Sequence, residues 1–150
     1  MSWIGKMIGT FTEWQAGRRQ PPELLDALDT SGQVVADRFA RAGDNANNRE
    51  VARHIIGIER WSRRRLRTAL GDTVVADEYD AYRPADEIGM VALAALFAEE
   101  REQTIALAEQ AARLPDSVRA AHNDLGEMSV AGWLFYIENH ASRESLLLRG

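Results

Sequence analysis

His54, His122 and His140 are the only imidazoles in a chain of 150 residues that contains no cysteine. Any bound metal must therefore rest on imidazole nitrogens and carboxylate oxygens, and disulfides are excluded. In the stretch "ENHASRESLLL" His140 and Glu144 stand four residues apart, so on a helix they share a face. Trp133, Ile137 and Leu148 fall on the same face, which the helix has to bury. A lone carboxylate there is costly unless it is paired or protonated, so it calls for a partner. His54, one turn before Ile58 and Trp61 at the edge of a second apolar stripe, supplies one. His54, His140 and Glu144 then form a set of three metal ligands that leaves coordination positions open for water or a substrate. An ion held in this way acidifies its water and polarises oxygen- or sulfur-bearing substrates. The same spacing also fits an internally hydrogen-bonded helical pair.

Other polar residues compete for these roles. Glu100 falls among Leu93, Phe97 and Leu107, where it would orient a ligand histidine, act as a general base, or pair with an arginine. His122, in "AAHNDLGEMS", reads as a loop residue rather than a ligand. The arginines of "RRRLR", Arg63 to Arg67, wrap around a helix and so face mainly solvent, with Glu59 and the acidic loop as partners. Trp61 and Trp133 read as core or as pocket wall.

Four long helices have to position these groups. The first opens at Pro21 and Pro22, carries Leu25, Leu28, Val35 and Phe39, and stops at Gly43. A second follows Asn47, which with Glu50 resembles a capping box; it runs through Val51, Ile55, Ile58 and Leu66 to Gly71. Residues 71 to 83 form a long connection. The third helix starts at Pro84 and ends before Pro115. The last is capped by Ser129 and buries Val130, Trp133, Leu134, Ile137, Ala141 and Leu148. No strand signal stands out, so the expected fold is all-α: a four-helix bundle over residues 21–150, preceded by a short amphipathic helix within residues 1–20.

In that leading segment Trp3, Ile4, Met7, Ile8, Phe11 and Trp14 recur at helical spacing. The stripe is expected to dock on the same chain or on a partner subunit, because a helix at a membrane surface shows a more basic polar face. No uninterrupted apolar run is present, so neither a secretion signal nor a span is expected, and the reading is cytoplasmic with no membrane partner. A net charge of −5 argues against nucleic acid as a partner.

Two stretches resemble the DinB-like (DinB/YfiT) superfamily over roughly residues 21–149. "REVARHIIGIERW" is similar to that family's second helix, with its metal-ligand histidine, and "HNDLGEMSVAGWLFYIENHASRESLLLR" is similar to its C-terminal stretch. On this resemblance His54 matches the helix-two ligand and His140 the first histidine of the last helix. Glu144 stands at the usual second histidine and Leu147 at a usual glutamine. The resemblance implies a four-helix bundle, often a homodimer, that binds a divalent ion such as zinc or nickel. It also implies a small-molecule substrate and chemistry such as thiol S-transfer, with a low-molecular-weight thiol as cosubstrate, or hydrolysis. A metal-free, stress-associated binding or assembly protein is the alternative.

Overall fold

The computed structural model describes residues 2–150; of the expected N-terminal segment only Met1 lies outside them. The described residues form five α-helices, one small hairpin and two short 3-10 turns. Helix α1 spans Trp3–Gly17, with the Ser2 hydroxyl accepting from the Gly5 amide at 3.0 Å. Helix α2 spans Pro21–Arg41, its prolines occupying the first turn where an amide would lack a partner anyway. Helix α3 covers Ala46–Thr68 and α4 covers Met90–Ala111. Strands β1 (Arg119–His122) and β2 (Gly126–Ser129) pair antiparallel, Arg119 opposite Ser129 and His122 opposite Gly126. Helix α5, Val130–Glu144, begins as expected at Ser129, whose hydroxyl accepts from the Gly132 amide at 3.0 Å.

The apolar stripes build the core. α2 packs against α4 and α5, and α3 packs against the same two helices, so the consecutive α2 and α3 sit diagonally. One part of the core gathers Leu28, Trp61, Leu66, Trp133 and Ile137. The other gathers Val35, Phe39, Ile55, Leu93 and Phe97, with the Phe39 and Phe97 rings 5.2 Å apart. The chain is mostly helical, and no helix among the described residues is long and apolar enough to cross a membrane.

Several boundaries differ from expectation for identifiable reasons. The cap of α3 is Asn45, accepting from the Asn48 amide at 3.0 Å, not Asn47. That helix ends at Thr68, and Gly71 lies beyond it with φ of +108°, a conformation open to glycine at little cost. Pro84 does not begin a helix: its carbonyl accepts from Arg53 Nε at 2.8 Å, and α4 starts only after Gly89. The hairpin replaces what the apolar pattern left as loop. The α-helix of α5 closes at Glu144 and tightens into a 3-10 turn over Ser145–Leu147, so Leu148 is no longer on it.

The arginine run is less solvent-facing than expected. Arg65 is buried and donates to Ala121 O (2.9 Å), Asp77 O (3.1 Å) and Asn123 Oδ1 (2.7 Å), holding the hairpin and the long loop onto α3. Arg63 joins Arg60 on Glu100. Arg64 and Arg67 reach the acidic loop at Asp72, and Arg65 reaches it at Asp77.

Helix α1 departs most from expectation. Its large apolar side chains point away from the protein, and its small residues Gly5, Gly9, Thr12 and Ala16 are the buried ones. A Cβ at Gly5 would stand 2.1 Å from the Asp124 carbonyl oxygen, and one at Gly9 2.4 Å from that of Leu125. Only glycine permits this approach of helix to hairpin. The stripe does not dock on its own chain.

Candidate functional site

Helices α3 and α5 bring His54 and His140 together, although they lie 86 positions apart in the chain. Their Nε2 atoms are 3.2 Å apart and their ring centroids 5.1 Å apart. Each position follows from the helical spacing: His54 borders the stripe that buries Ile55, Ile58 and Trp61, and His140 follows Trp133 and Ile137 on α5. Both side chains are half-buried, so the pair is reachable from solvent.

Aromatic rings line this chamber. The ring of Tyr79, from the 3-10 turn Tyr79–Tyr82, meets His54 edge-on with centroids 5.7 Å apart, and Tyr136 lies 5.9 Å from His140. Trp61 and Trp133 stand behind, 5.7 Å from each other. Tyr136 is one turn before His140 on α5, so its place was legible from spacing. Tyr79 comes from the long loop, whose path no periodicity reveals.

His122 belongs to the same aromatic cluster, which sequence reasoning missed. It is 8% exposed and packs against Trp61 (4.9 Å), Trp133 (5.3 Å) and Tyr136 (4.8 Å). Its Nδ1 accepts from the amides of Asp124 (3.0 Å) and Leu125 (3.2 Å). Two donors aimed at one nitrogen leave that nitrogen unprotonated, so the neutral ring carries its hydrogen on Nε2. Nε2 is buried without a hydrogen-bond partner. In this tautomer His122 is a donor, not a metal ligand.

Burial sets the protonation of the cluster. It pushes His140 down to about 3, with His54 adding further repulsion, and His122 down to about 4. His54 is also lowered, first by burial and then by Arg83, while Glu144 opposes the shift. All three imidazoles are therefore neutral near pH 7, with lone pairs available on His54 and His140. Burial raises the Tyr136 phenol, which stays protonated and able to donate.

Glu144 lies one turn beyond His140, half-buried, and acts on His54 through its charge. It makes no hydrogen bond or ion pair among the described residues, and no group of three or more His, Asp or Glu side chains there stands close enough to hold a metal. Two of the three expected ligands thus meet, and the third stays apart. Glu100 is elsewhere: it accepts from Arg60 at 2.6 Å and Arg63 at 2.5 Å. Burial pushes its pKa up, but those two guanidinium groups outweigh it and hold the carboxyl below its ordinary value. It is an ion-pair partner, not a base beside the histidines.

The histidine separation is chemically ambiguous in a useful way. Two nitrogens about 2.0–2.1 Å from one zinc ion at a tetrahedral angle stand about 3.3 Å apart. An N–H···N hydrogen bond between neutral imidazoles has nearly the same length. The separation alone is thus compatible with either arrangement. A cavity of about 460 Å³ lies elsewhere, between the α1–α2 turn and the C-terminal end of α4. Of its charged lining, Glu13 accepts from Ser129 and Arg119 donates to the carbonyls of Asp116 and Val118. Comparison of the chain with family models, with curated proteins and with solved structures finds no match.

Proposed function

We propose that the chain is a divalent-metal-dependent enzyme of the DinB-like type, acting as a thiol S-transferase or a hydrolase on a small molecule. The observation that carries this reading is the 3.2 Å approach of the His54 and His140 Nε2 atoms in a half-buried aromatic chamber. His54 and His140 would hold the ion, with Glu144 as the third ligand once its side chain turns from α5 toward His54. Zinc or nickel bound there would favour the deprotonated form of a low-molecular-weight thiol or of water.

The chain's own residues prepare that chemistry. Neutral imidazoles need shed no proton to bind a cation. Trp61 and Trp133 keep water from the back of the chamber, and the Tyr136 hydroxyl offers a hydrogen bond to a substrate oxygen at its mouth. The Glu144 carboxylate adds negative charge beside His54. A cytoplasmic homodimer completes this reading.

A second reading draws on Glu144, which stands apart, and on the two imidazoles, which satisfy each other without an ion. It is a metal-free, stress-associated binding or assembly protein. Thermal melting of protein purified without a histidine tag separates the two. A ligand bound only to the folded state raises stability, so a chelator should lower the melting temperature and added zinc or nickel should restore it. An unchanged melt with chelator and with added metal would favour the metal-free reading.

A further inference from the structure

The outer face of α1 has no counterpart among the described residues. Trp3, Ile4, Met7, Ile8, Phe11 and Trp14 are each 46% to 75% exposed. With the size of their side chains this amounts to roughly 600 Å² of contiguous apolar surface, at the upper end of what a monomer shows. The helix is firmly seated by its opposite side. Gly5 and Gly9 lie on the hairpin backbone, and Glu13 accepts from the Ser129 amide at 2.9 Å and its hydroxyl at 2.7 Å. Small and polar residues are turned inward and large apolar ones outward, the reverse of a helix that hides its stripe.

The helix itself carries one cation, the exposed Lys6, and one acid, Glu13, which is drawn onto Ser129; Arg18 caps its end exposed, and Arg19 beyond it turns to Phe135 of α5, 5.6 Å from that ring. The Arg18 guanidinium sits 4.9 Å from the Trp14 ring, so cation and tryptophan share one rim. A tryptophan stands near each end of the 15-residue helix.

We propose that α1 is a peripheral membrane anchor. It would lie flat in the interface of an anionic bilayer, its six apolar side chains among the acyl chains and Lys6 and Arg18 at the headgroup phosphates. This revises the expectation, drawn from sequence, that protein covers the stripe. A convex ridge meets a bilayer plane along its whole length. A two-fold contact of this ridge with a second copy would offer Lys6 and Arg18 no exposed acid of the helix as partner. The chain's overall negative charge opposes approach to anionic lipid, so apolar insertion supplies most of the binding and the two cations set the lipid preference.

The full-length protein is tested by co-sedimentation with vesicles of phosphatidylcholine alone and of phosphatidylcholine mixed with phosphatidylglycerol. The expected result is binding to the mixed vesicles, weakened at least about tenfold in Trp3→Ser/Phe11→Ser and in Lys6→Glu/Arg18→Glu. Val91→Ser, at a residue 83% exposed on α4, should bind like the parent chain. Circular dichroism checks that each variant keeps its helices, as expected for substitutions on a solvent-facing side. Failure to sediment with either vesicle, or equal sedimentation of parent and α1 variants, would overturn the proposal. So would a dimer in solution that Trp3→Ser/Phe11→Ser dissociates, since a second copy would then cover the ridge.

Discussion

Arg101 of α4 grips both carboxylate oxygens of Glu59 on α3, at 2.7 and 2.9 Å, and the two side chains are only 3% and 1% exposed. The same guanidinium donates to the Leu28 carbonyl at 2.9 Å and the Ser31 hydroxyl at 3.1 Å, which ties α2 into the pair. Each guanidinium nitrogen has a partner, which offsets the cost of burying it.

This pair predicts an asymmetry. Glu59→Ala leaves the Arg101 charge buried without its carboxylate and should cost about 3–5 kcal/mol of stability. Glu59→Leu combined with Arg101→Met removes both charges and should cost clearly less than Glu59→Ala alone. Urea unfolding of the three proteins checks this, and a double variant as unstable as the single one would refute the desolvation argument.

His122 predicts a pH dependence. Its folded pKa, about 4, lies below the ordinary histidine value of 6.5, because burial disfavours the charged ring and Arg65 adds to that, while Asp124 opposes it. Protonating Nδ1 would also set a new donor against the Asp124 and Leu125 amides. Tyr136, facing it from α5, is held neutral and supplies no compensating charge. Between pH 6.5 and about 4 the unfolded chain binds the proton and the folded chain does not, so stability falls as pH falls through that window. The loss attributable to this group is about 3 kcal/mol. His122→Gln should show a shallower decline in melting temperature over the same range; an identical slope would remove His122 as its source.

Gly9 predicts a local destabilisation that helix propensity alone would get backwards. Alanine is the better helix former by about 1 kcal/mol. A Cβ at Gly9, however, would meet the Leu125 carbonyl at 2.4 Å, and backbone rather than a flexible side chain has to give way. Gly9→Ala should therefore lift α1 from the hairpin and cost about 1–3 kcal/mol. Hydrogen exchange would report it as faster exchange confined to α1, the hairpin and the start of α5, and unchanged exchange there would contradict the packing described.

Much of the helical framework was legible because burial follows spacing. Leu28, Val35 and Phe39, or Trp133, Leu134 and Ile137, mark one face each, and Ser129 announces its cap. The hairpin was not legible: "RAAH" and "GEMS" are four-residue strands with little β-branched or apolar alternation; Arg65 and Trp133 hold the backbone of the first at Ala121 and Ala120, and the second pairs with it. The seating of α1 was misread because the stripe of large residues outweighs Gly5, Gly9 and Ala16 in any apolar count. At the site, helical periodicity put His54 and His140 on stripes that meet in the structure. It put Glu144 on the same helix face as His140, but a face does not specify which way a side chain turns. His122 looked like a loop residue because its burial depends on tryptophans from two distant helices.

The central claim is that His54 and His140 converge to hold one divalent ion. Elemental analysis of the protein purified without a histidine tag tests it most directly, alongside His54→Ala and His140→Ala prepared identically. The account predicts near-stoichiometric zinc or nickel in the parent chain and its loss from both variants. Metal content unchanged in both variants, or a parent chain that takes up neither ion when they are supplied, would contradict it.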